Sequence, residues 1–155
     1  MEDKLSETRN AIKNGADEID YVVNLTKLKA GDTAYIESEM ARITDICREF
    51  SVVSKVIFEN CYLTEDEKKT LCHIATKVKP DFIKTSTGFG TGGATFEDVA
   101  LMKRETEGSG VKIKAAGGIR TLKTALEMIN LGVSRIGSTS SVAIMEEYMA
   151  NSPLL

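Results

Sequence analysis

Two lysines and one aspartate lie at predicted strand ends, where together they could perform amine chemistry. Lys84 ends the apolar run DFIK, Lys114 ends VKIK, and Asp20 interrupts the apolar run IDYVVN. An inward-facing lysine among apolar neighbours is costly in its charged form, and a second ammonium nearby lowers its pKa further. A neutral amine forms a carbinolamine and then an imine with an aldehyde, while a carboxylate moves the protons. The three residues therefore predict Schiff-base catalysis, although an isolated lysine at a strand end is usually solvated or salt-bridged.

Glycine-rich stretches with hydroxyl groups form a second candidate feature. Backbone N–H groups in such loops, with the positive end of the following helix, commonly hold phosphate. Turns also need glycine, so each stretch alone is weak evidence, but their joint position after the last two strands indicates a phosphate site. The stretches are Ser86-Thr87-Gly88, Gly90-Thr91-Gly92-Gly93, Gly117-Gly118 and Gly137-Ser138-Thr139-Ser140-Ser141.

Three other charged residues have two interpretations each. Lys55 and Glu59 share a strand face by the two-residue period, so they could form a structural ion pair or contribute to the site. Arg120 could contact phosphate or pair with a surface acid.

The cysteines and the single histidine do not predict a metal or disulfide site. Cys47, Cys61 and Cys72 are odd in number and lack CxxC spacing, and His73 is the one histidine of the chain. This pattern argues against a disulfide framework and against zinc. We expect the cysteines to be structural, and we expect no metal.

The elements that position these residues alternate between helical and β-branched patterns. Such alternation predicts an α/β fold with a parallel sheet, and its ligand site lies beyond the carboxyl ends of the strands. Thr64 followed by Glu67 has the pattern of a capping box. The predicted strands are Glu18–Asn24, Val52–Glu59, Asp81–Thr85, Val111–Ala115 and Ser134–Gly137, and the predicted helices are 3–14, 33–49, 64–78, 95–106, 121–131 and 141–150.

The number of predicted units is small for a closed barrel. Five βα units are fewer than the eight of a (β/α)8 barrel, whose usual length is about 250 residues. We therefore expect residues 1–155 to form a single (β/α) barrel domain that lacks the first three strands of the complete barrel. Such a sheet would expose two edges and an apolar face, which favours self-association, so we expect a homo-oligomer.

Composition narrows the classes of partner. The 155 residues are 42% hydrophobic and 28% charged, with a formal net charge of -3. These values are typical of a globular domain, and the scattered lysines and arginines form no basic face for nucleic acid or membrane. The charged N-terminus has no apolar signal-peptide core, so we expect a cytoplasmic protein. A small anionic metabolite remains a suitable partner.

The motifs resemble those of the deoxyribose-phosphate aldolases, class I enzymes of the barrel superfamily. The resemblance is carried by GADEIDYVVN, KVIFENCYLT, DFIKTSTGFGTGGAT, KIKAAGGIRT and RIGSTSS and covers nearly the whole chain. It implies a TIM (β/α)8-barrel fold. It also implies reversible cleavage of 2-deoxy-D-ribose 5-phosphate to D-glyceraldehyde 3-phosphate and acetaldehyde, with no metal or organic cofactor.

The resemblance also implies roles for particular residues. Lys84 looks like the Schiff-base lysine, Lys114 like the second lysine that perturbs it and transfers protons, and Asp20 like the acid/base carboxylate. Thr87 and Lys55 fall on positions near the relay and the substrate. The positions that line the family's phosphate pocket are Gly88, Gly117, Gly118, Gly137, Thr139 and Ser140.

The sequence departs from the family pattern at a few positions. Phe89 stands where some members have lysine, Thr139 replaces a more usual serine, and Ser141 replaces a frequent glycine.

Two rival interpretations of the function remain. One is another lysine aldolase or phosphosugar barrel, and the other is a non-catalytic relative that binds phosphorylated metabolites or acts as an assembly partner.

Overall fold

Five parallel strands form one sheet whose spatial order follows the chain. The computed structural model describes residues 1–151. The order is β1-β2-β3-β4-β5, and every neighbouring pair is parallel, which confirms the predicted α/β class. The strands are β1 (Glu18–Val22), β2 (Val53–Ile57), β3 (Phe82–Lys84), β4 (Lys112–Ala116) and β5 (Arg135–Gly137).

Helices connect successive strands, and several of them begin at polar caps. Thr64 and Glu67 form the predicted capping box, and Asp32, Thr95 and Thr121 cap other helices through their side chains. None of the helices described within residues 1–151 has the length and apolar character required to cross a bilayer. The helices are α1 (Glu2–Lys13), α2 (Leu25–Lys29), α3 (Thr33–Glu49), α4 (Glu65–Val78), α5 (Phe96–Glu105), α6 (Leu122–Asn130) and α7 (Ser141–Asn151).

Alternate residues of each strand face opposite sides of the sheet, and the two sides differ in composition. The outer face packs against the helices and forms the hydrophobic core. The inner face carries the charged residues instead. The buried outer-face side chains are Ile19, Tyr21, Val56, Ile83, Ile113 and Ala115.

The sheet is strongly curled. Arg135 of β5 donates a hydrogen bond to Glu18 of β1, although these strands are at opposite ends of the strand order. In a flat sheet four spacings would separate them by about 19 Å, too far for two side chains to meet. The inner face is therefore concave, as the inside of a barrel wall would be.

Each edge of the sheet leaves backbone groups without a strand partner in the described part of the chain. β1 and β5 each have one neighbouring strand there. Beside β5, a groove of about 390 Å³ lies between α6 and α7. Its walls include Leu126, Ile129, Met145 and Tyr148, all of which are substantially exposed. Edge strands and apolar patches of this kind favour association with another surface.

Candidate active site

Asp20 is the centre of a cluster that draws on four neighbouring strands. Its Oδ1 accepts a hydrogen bond of 2.7 Å from Lys55 Nζ. Its Oδ2 accepts hydrogen bonds of 2.7 Å from Lys84 Nζ and 2.9 Å from Lys114 Nζ. The structure thus brings the amines of Lys84 and Lys114 to the carboxylate of Asp20. These are the three residues proposed for Schiff-base chemistry.

Strand register explains why these side chains meet. Asp20 lies opposite Lys55 in the β1–β2 pair, and Lys84 lies opposite Lys114 in the β3–β4 pair. Residues in register share a face, and the curl of the sheet closes the gap between the two pairs. The Lys84 and Lys114 side chains are only 11% and 15% exposed, so the amines are largely withdrawn from solvent.

Asp20 is held as a carboxylate. Burial alone would raise its pKa, but the hydrogen bonds from Lys55, Lys84 and Lys114 and the charge of Lys84 outweigh that effect. The pKa of Asp20 is therefore well below its usual range. The group keeps its negative charge at neutral pH and orders the surrounding ammonium groups.

Lys114 is the amine whose protonation is disfavoured. Burial lowers its pKa, and the positive charges of Lys84 and Lys55 lower it further. The hydrogen bond and charge of Asp20 act in the opposite direction without cancelling the effect. A lysine with a lowered pKa is neutral in a larger fraction of molecules than an ordinary lysine, and only the neutral amine can act as a base.

The ion pair considered between Lys55 and Glu59 is not formed. Lys55 instead contacts Glu18 at 2.6 Å and Asp20 at 2.7 Å. β2 ends at Ile57, and Glu59 has a left-handed backbone with φ of 57°. The two-residue period therefore does not extend from Lys55 to Glu59, and their side chains separate.

Glu59 holds the loop after β3 instead. Its carboxylate is buried and accepts hydrogen bonds from the backbone N–H of Thr87, at 3.0 Å, and from the Thr87 hydroxyl. The same hydroxyl accepts a bond of 3.0 Å from the N–H of Phe89. Thr87, which the family resemblance places near the relay, thus directs its hydroxyl toward Glu59. The sequence left the role of Glu59 open and did not indicate its contact with the loop after β3.

Glycines allow the loops after β3 and β4 to approach closely. Gly88, Gly117 and Gly118 have φ of 95°, 88° and 78°, in the region that favours glycine. A Cβ on Gly93 would lie 2.3 Å from the carbonyl oxygen of Gly117, so the two backbones are in direct contact. The N–H of Ala94 donates to that same carbonyl at 3.0 Å.

The segment after β5 joins this group of loops. A Cβ on Gly137 would lie 2.9 Å from Ala116 Cβ, so the position requires glycine beside β4. Ser138 donates to the carbonyl of Ile119 at 2.6 Å, which ties this segment to the Gly117-Gly118 loop. Thr139 and Ser140 follow directly, at the start of α7. The six residues assigned to phosphate binding thus lie at the carboxyl end of the sheet, five of them on loops and Gly137 at the end of β5. Arg120 lies exposed at the same end.

The thiols and the histidine lie outside this cluster. Cys47 and Cys72 are free and buried, and burial raises their pKa to about 11 and about 12. A thiol with so high a pKa is a poor nucleophile at neutral pH. His73 is mostly exposed and contacts Glu105.

Comparison with protein families and curated sequences gives consistent matches. The family described as DeoC/LacD family aldolase matches residues 1–139. A deoxyribose-phosphate aldolase of Lactobacillus acidophilus is 57% identical over 146 residues, which are 94% of this chain and 61% of the relative. One of Thermococcus kodakarensis is 50% identical over 143 residues, 92% of this chain and 63% of the relative. The chain thus spans about three fifths of the length of these relatives.

Solved structures show the same similarity in three dimensions. The aldolase QR15 superposes with a TM-score of 0.87 at 42% identity, covering 95% of this chain and 65% of that one. The deoxyribose phosphate aldolase from Aeropyrum pernix, described as tetrameric, gives a TM-score of 0.85 at 27% identity, covering 96% and 62%. The fold is therefore that of these aldolases, of the TIM-barrel type, over the part of their length that the chain spans.

Proposed function

Because the chain belongs to the DeoC/LacD family of aldolases, we propose that it carries the catalytic residues of a deoxyribose-phosphate aldolase. The reaction is reversible cleavage of 2-deoxy-D-ribose 5-phosphate to D-glyceraldehyde 3-phosphate and acetaldehyde. One observation supports this most directly: Lys84 and Lys114, whose side chains are largely buried, share one oxygen of Asp20 on the concave face of the sheet. Two close amines beside one permanent carboxylate are suited to imine formation.

The first half of the reaction would build the imine. Lys84 loses a proton, which Lys114 can accept when it is neutral, and the lowered pKa of Lys114 favours that neutral form. The free amine attacks the C1 carbonyl of the sugar to form a carbinolamine, which is then protonated and loses water. Asp20 stays ionised and stabilises the positive charge of the resulting iminium.

The second half would break the carbon–carbon bond. A base removes the proton of the C3 hydroxyl, the C2–C3 bond breaks, and its electron pair moves to the iminium to form an enamine. Glyceraldehyde 3-phosphate leaves. Protonation of the enamine carbon and attack by water on the new iminium then release acetaldehyde and return the amine of Lys84.

The phosphate would bind at the glycine-rich loops. Backbone N–H groups of Gly88, Gly117 and Gly118 are available on turns that other residues rarely adopt. The start of α7, at Thr139 and Ser140, adds hydroxyl donors and the positive end of a helix. Gly137 lets this segment pack closely against β4.

Trapping of the imine tests the proposal. The chain would be incubated with acetaldehyde and borohydride, and peptide mass spectrometry should find an N-ethyl group on Lys84. Lys84→Met should lose this adduct. Lys112→Met is the matched control, because Lys112 is an exposed lysine of the same sheet face and should leave the adduct in place. Folded protein without any adduct on Lys84 would support a non-catalytic binding role.

We also propose that residues 1–155 act as one barrel-type domain in a cytoplasmic homo-oligomer. The open edges of β1 and β5 and the exposed apolar groove between α6 and α7 support self-association. Three unpaired cysteines fit a reducing compartment. Size-exclusion chromatography with light scattering should give a mass above that of one chain, and a monomer at all concentrations would contradict this assembly.

A further inference from the structure

A second group of charges lies on the inner face, next to the Asp20 cluster. Lys55 Nζ is 2.6 Å from Glu18 Oε2, and the same oxygen accepts a hydrogen bond from Arg135 of β5. The Arg135 guanidinium lies 4.9 Å from the centre of the Phe82 ring, a cation–π distance. These contacts form a continuous chain from Arg135 through Glu18 and Lys55 to Asp20.

The burial of Lys55 makes this chain necessary. Its side chain is only 1% exposed, and a charged lysine withdrawn from water requires a close counter-charge. Asp20 alone would have to serve Lys55, Lys84 and Lys114. The hydrogen bonds from Lys55 and Arg135 lower the pKa of Glu18, so Glu18 supplies a second permanent negative charge.

We propose that Glu18 is a positioning residue that binds the ammonium of Lys55 and thereby reserves Oδ2 of Asp20 for Lys84 and Lys114. Arg135 holds Glu18 in place in turn. Its positive charge partly neutralises Glu18 and so determines how strongly Glu18 attracts the ammonium of Lys55. The consequence for catalysis rests on the proposed aldolase function. The electrostatic effect on the amines does not depend on it.

The two charges should act on the amines with opposite sign. Neutralising Glu18 leaves more positive charge on the inner face, which disfavours the protonated form of Lys114. Neutralising Arg135 leaves the negative charge of Glu18 less compensated and favours that form. The charged groups that face Lys55 and Lys114 from the packed strands are Glu18, Asp20, Lys84, Lys112 and Arg135.

Titration of the lysine side chains by NMR tests this without any assay of activity. With isotope-labelled lysine, and Lys114→Met to identify the signal, Glu18→Gln should lower the midpoint of Lys114 by about half a pH unit. Arg135→Met should raise it by a smaller amount. Glu18→Asp should restore most of the original value. Glu2→Gln and Arg42→Met, which change an exposed ion pair between α1 and α3, should leave the midpoint unchanged.

Activity provides the second measurement. If a neutral amine is required, the acid limb of the kcat/KM profile should move to lower pH in Glu18→Gln and to higher pH in Arg135→Met. A purely structural role would lower the rate without these opposite displacements. Should Glu18→Gln fail to fold, Arg135→Met still tests the proposal, because only an electrostatic role predicts that the Lys114 midpoint and the acid limb move to higher pH.

The outcomes separate the two proposals. Opposite NMR shifts without an aldehyde adduct on Lys84 would support the role of Glu18 and contradict the aldolase function. An adduct on Lys84, with midpoints that stay in place or move in one direction in both variants, would overturn the role of Glu18.

Discussion

The two faces of the sheet are equally buried in places but are stabilised in different ways. Val56 and Lys55 are neighbours in β2, and they are 0% and 1% exposed. Val56 is stable there because it packs in the hydrophobic core. Lys55 is stable there because Glu18 and Asp20 surround its ammonium. Burial alone therefore does not distinguish core positions from the proposed site positions. The groups that surround each buried side chain do distinguish them.

This difference implies that substitutions on the inner face should affect activity more than folding. Asp20→Asn should lower kcat/KM about a thousandfold, because the lysines lose their shared carboxylate. Asp98→Asn is the matched control. Asp98 of α5 forms an ion pair of 2.6 Å with Lys68 of α4, and this pair is also largely buried but lies outside the site. Steady-state cleavage kinetics on folded protein would measure both. A comparable loss in the control would remove the distinction between the faces.

The outer face should respond in the opposite way. Ile83 is 0% exposed and precedes Lys84 on the other side of β3. Ile83→Ala should lower the free energy of unfolding by about 3 kcal/mol, and Ile83→Val by about 1 kcal/mol. Urea unfolding would measure the loss. Aldehyde trapping on Lys84, expressed per folded molecule, should stay near the original level in Ile83→Val, and its disappearance there would contradict the separation of roles.

The smallest effect should be a pH dependence that belongs to the inner face. Folding lowers the pKa of Lys114 below its unfolded value of about 10.4. Between the folded and unfolded values the unfolded chain binds more protons, so stability rises with pH and the penalty disappears above the unfolded pKa. Lys114→Met should therefore be stabilised relative to the parent at neutral pH, and the difference should shrink toward pH of about 10. Thermal melts across that range would show it, and a constant difference would count against the lowered pKa.

Periodicity in the sequence was sufficient for most of the fold. The five strands and the six longer helices follow the predicted order, because apolar residues repeat at two or at three to four positions. α2 was missed because five residues are too few to show a helical period. The turn at Asn60–Tyr62 was missed because the strand pattern extended through Glu59.

The site was only partly visible in the sequence. Lys84, Lys114 and Asp20 stood out because the two lysines end, and the aspartate interrupts, predicted strand runs. Glu18 and Arg135 could not, since their contact depends on the curl of the sheet, which no local pattern reports. The left-handed backbone of Glu59 was equally hidden, because glutamate rarely adopts it.

The hydrogen bond between Asp20 and Lys114 joins residues 94 positions apart, and the Glu18–Arg135 bond joins residues 117 apart. Contacts of such high sequence separation form late, because the intervening chain must first lose its conformational freedom. The segment from residue 20 to residue 114 must therefore collapse before the amine of Lys114 meets its carboxylate. During refolding, secondary structure should precede the competence to react with aldehyde.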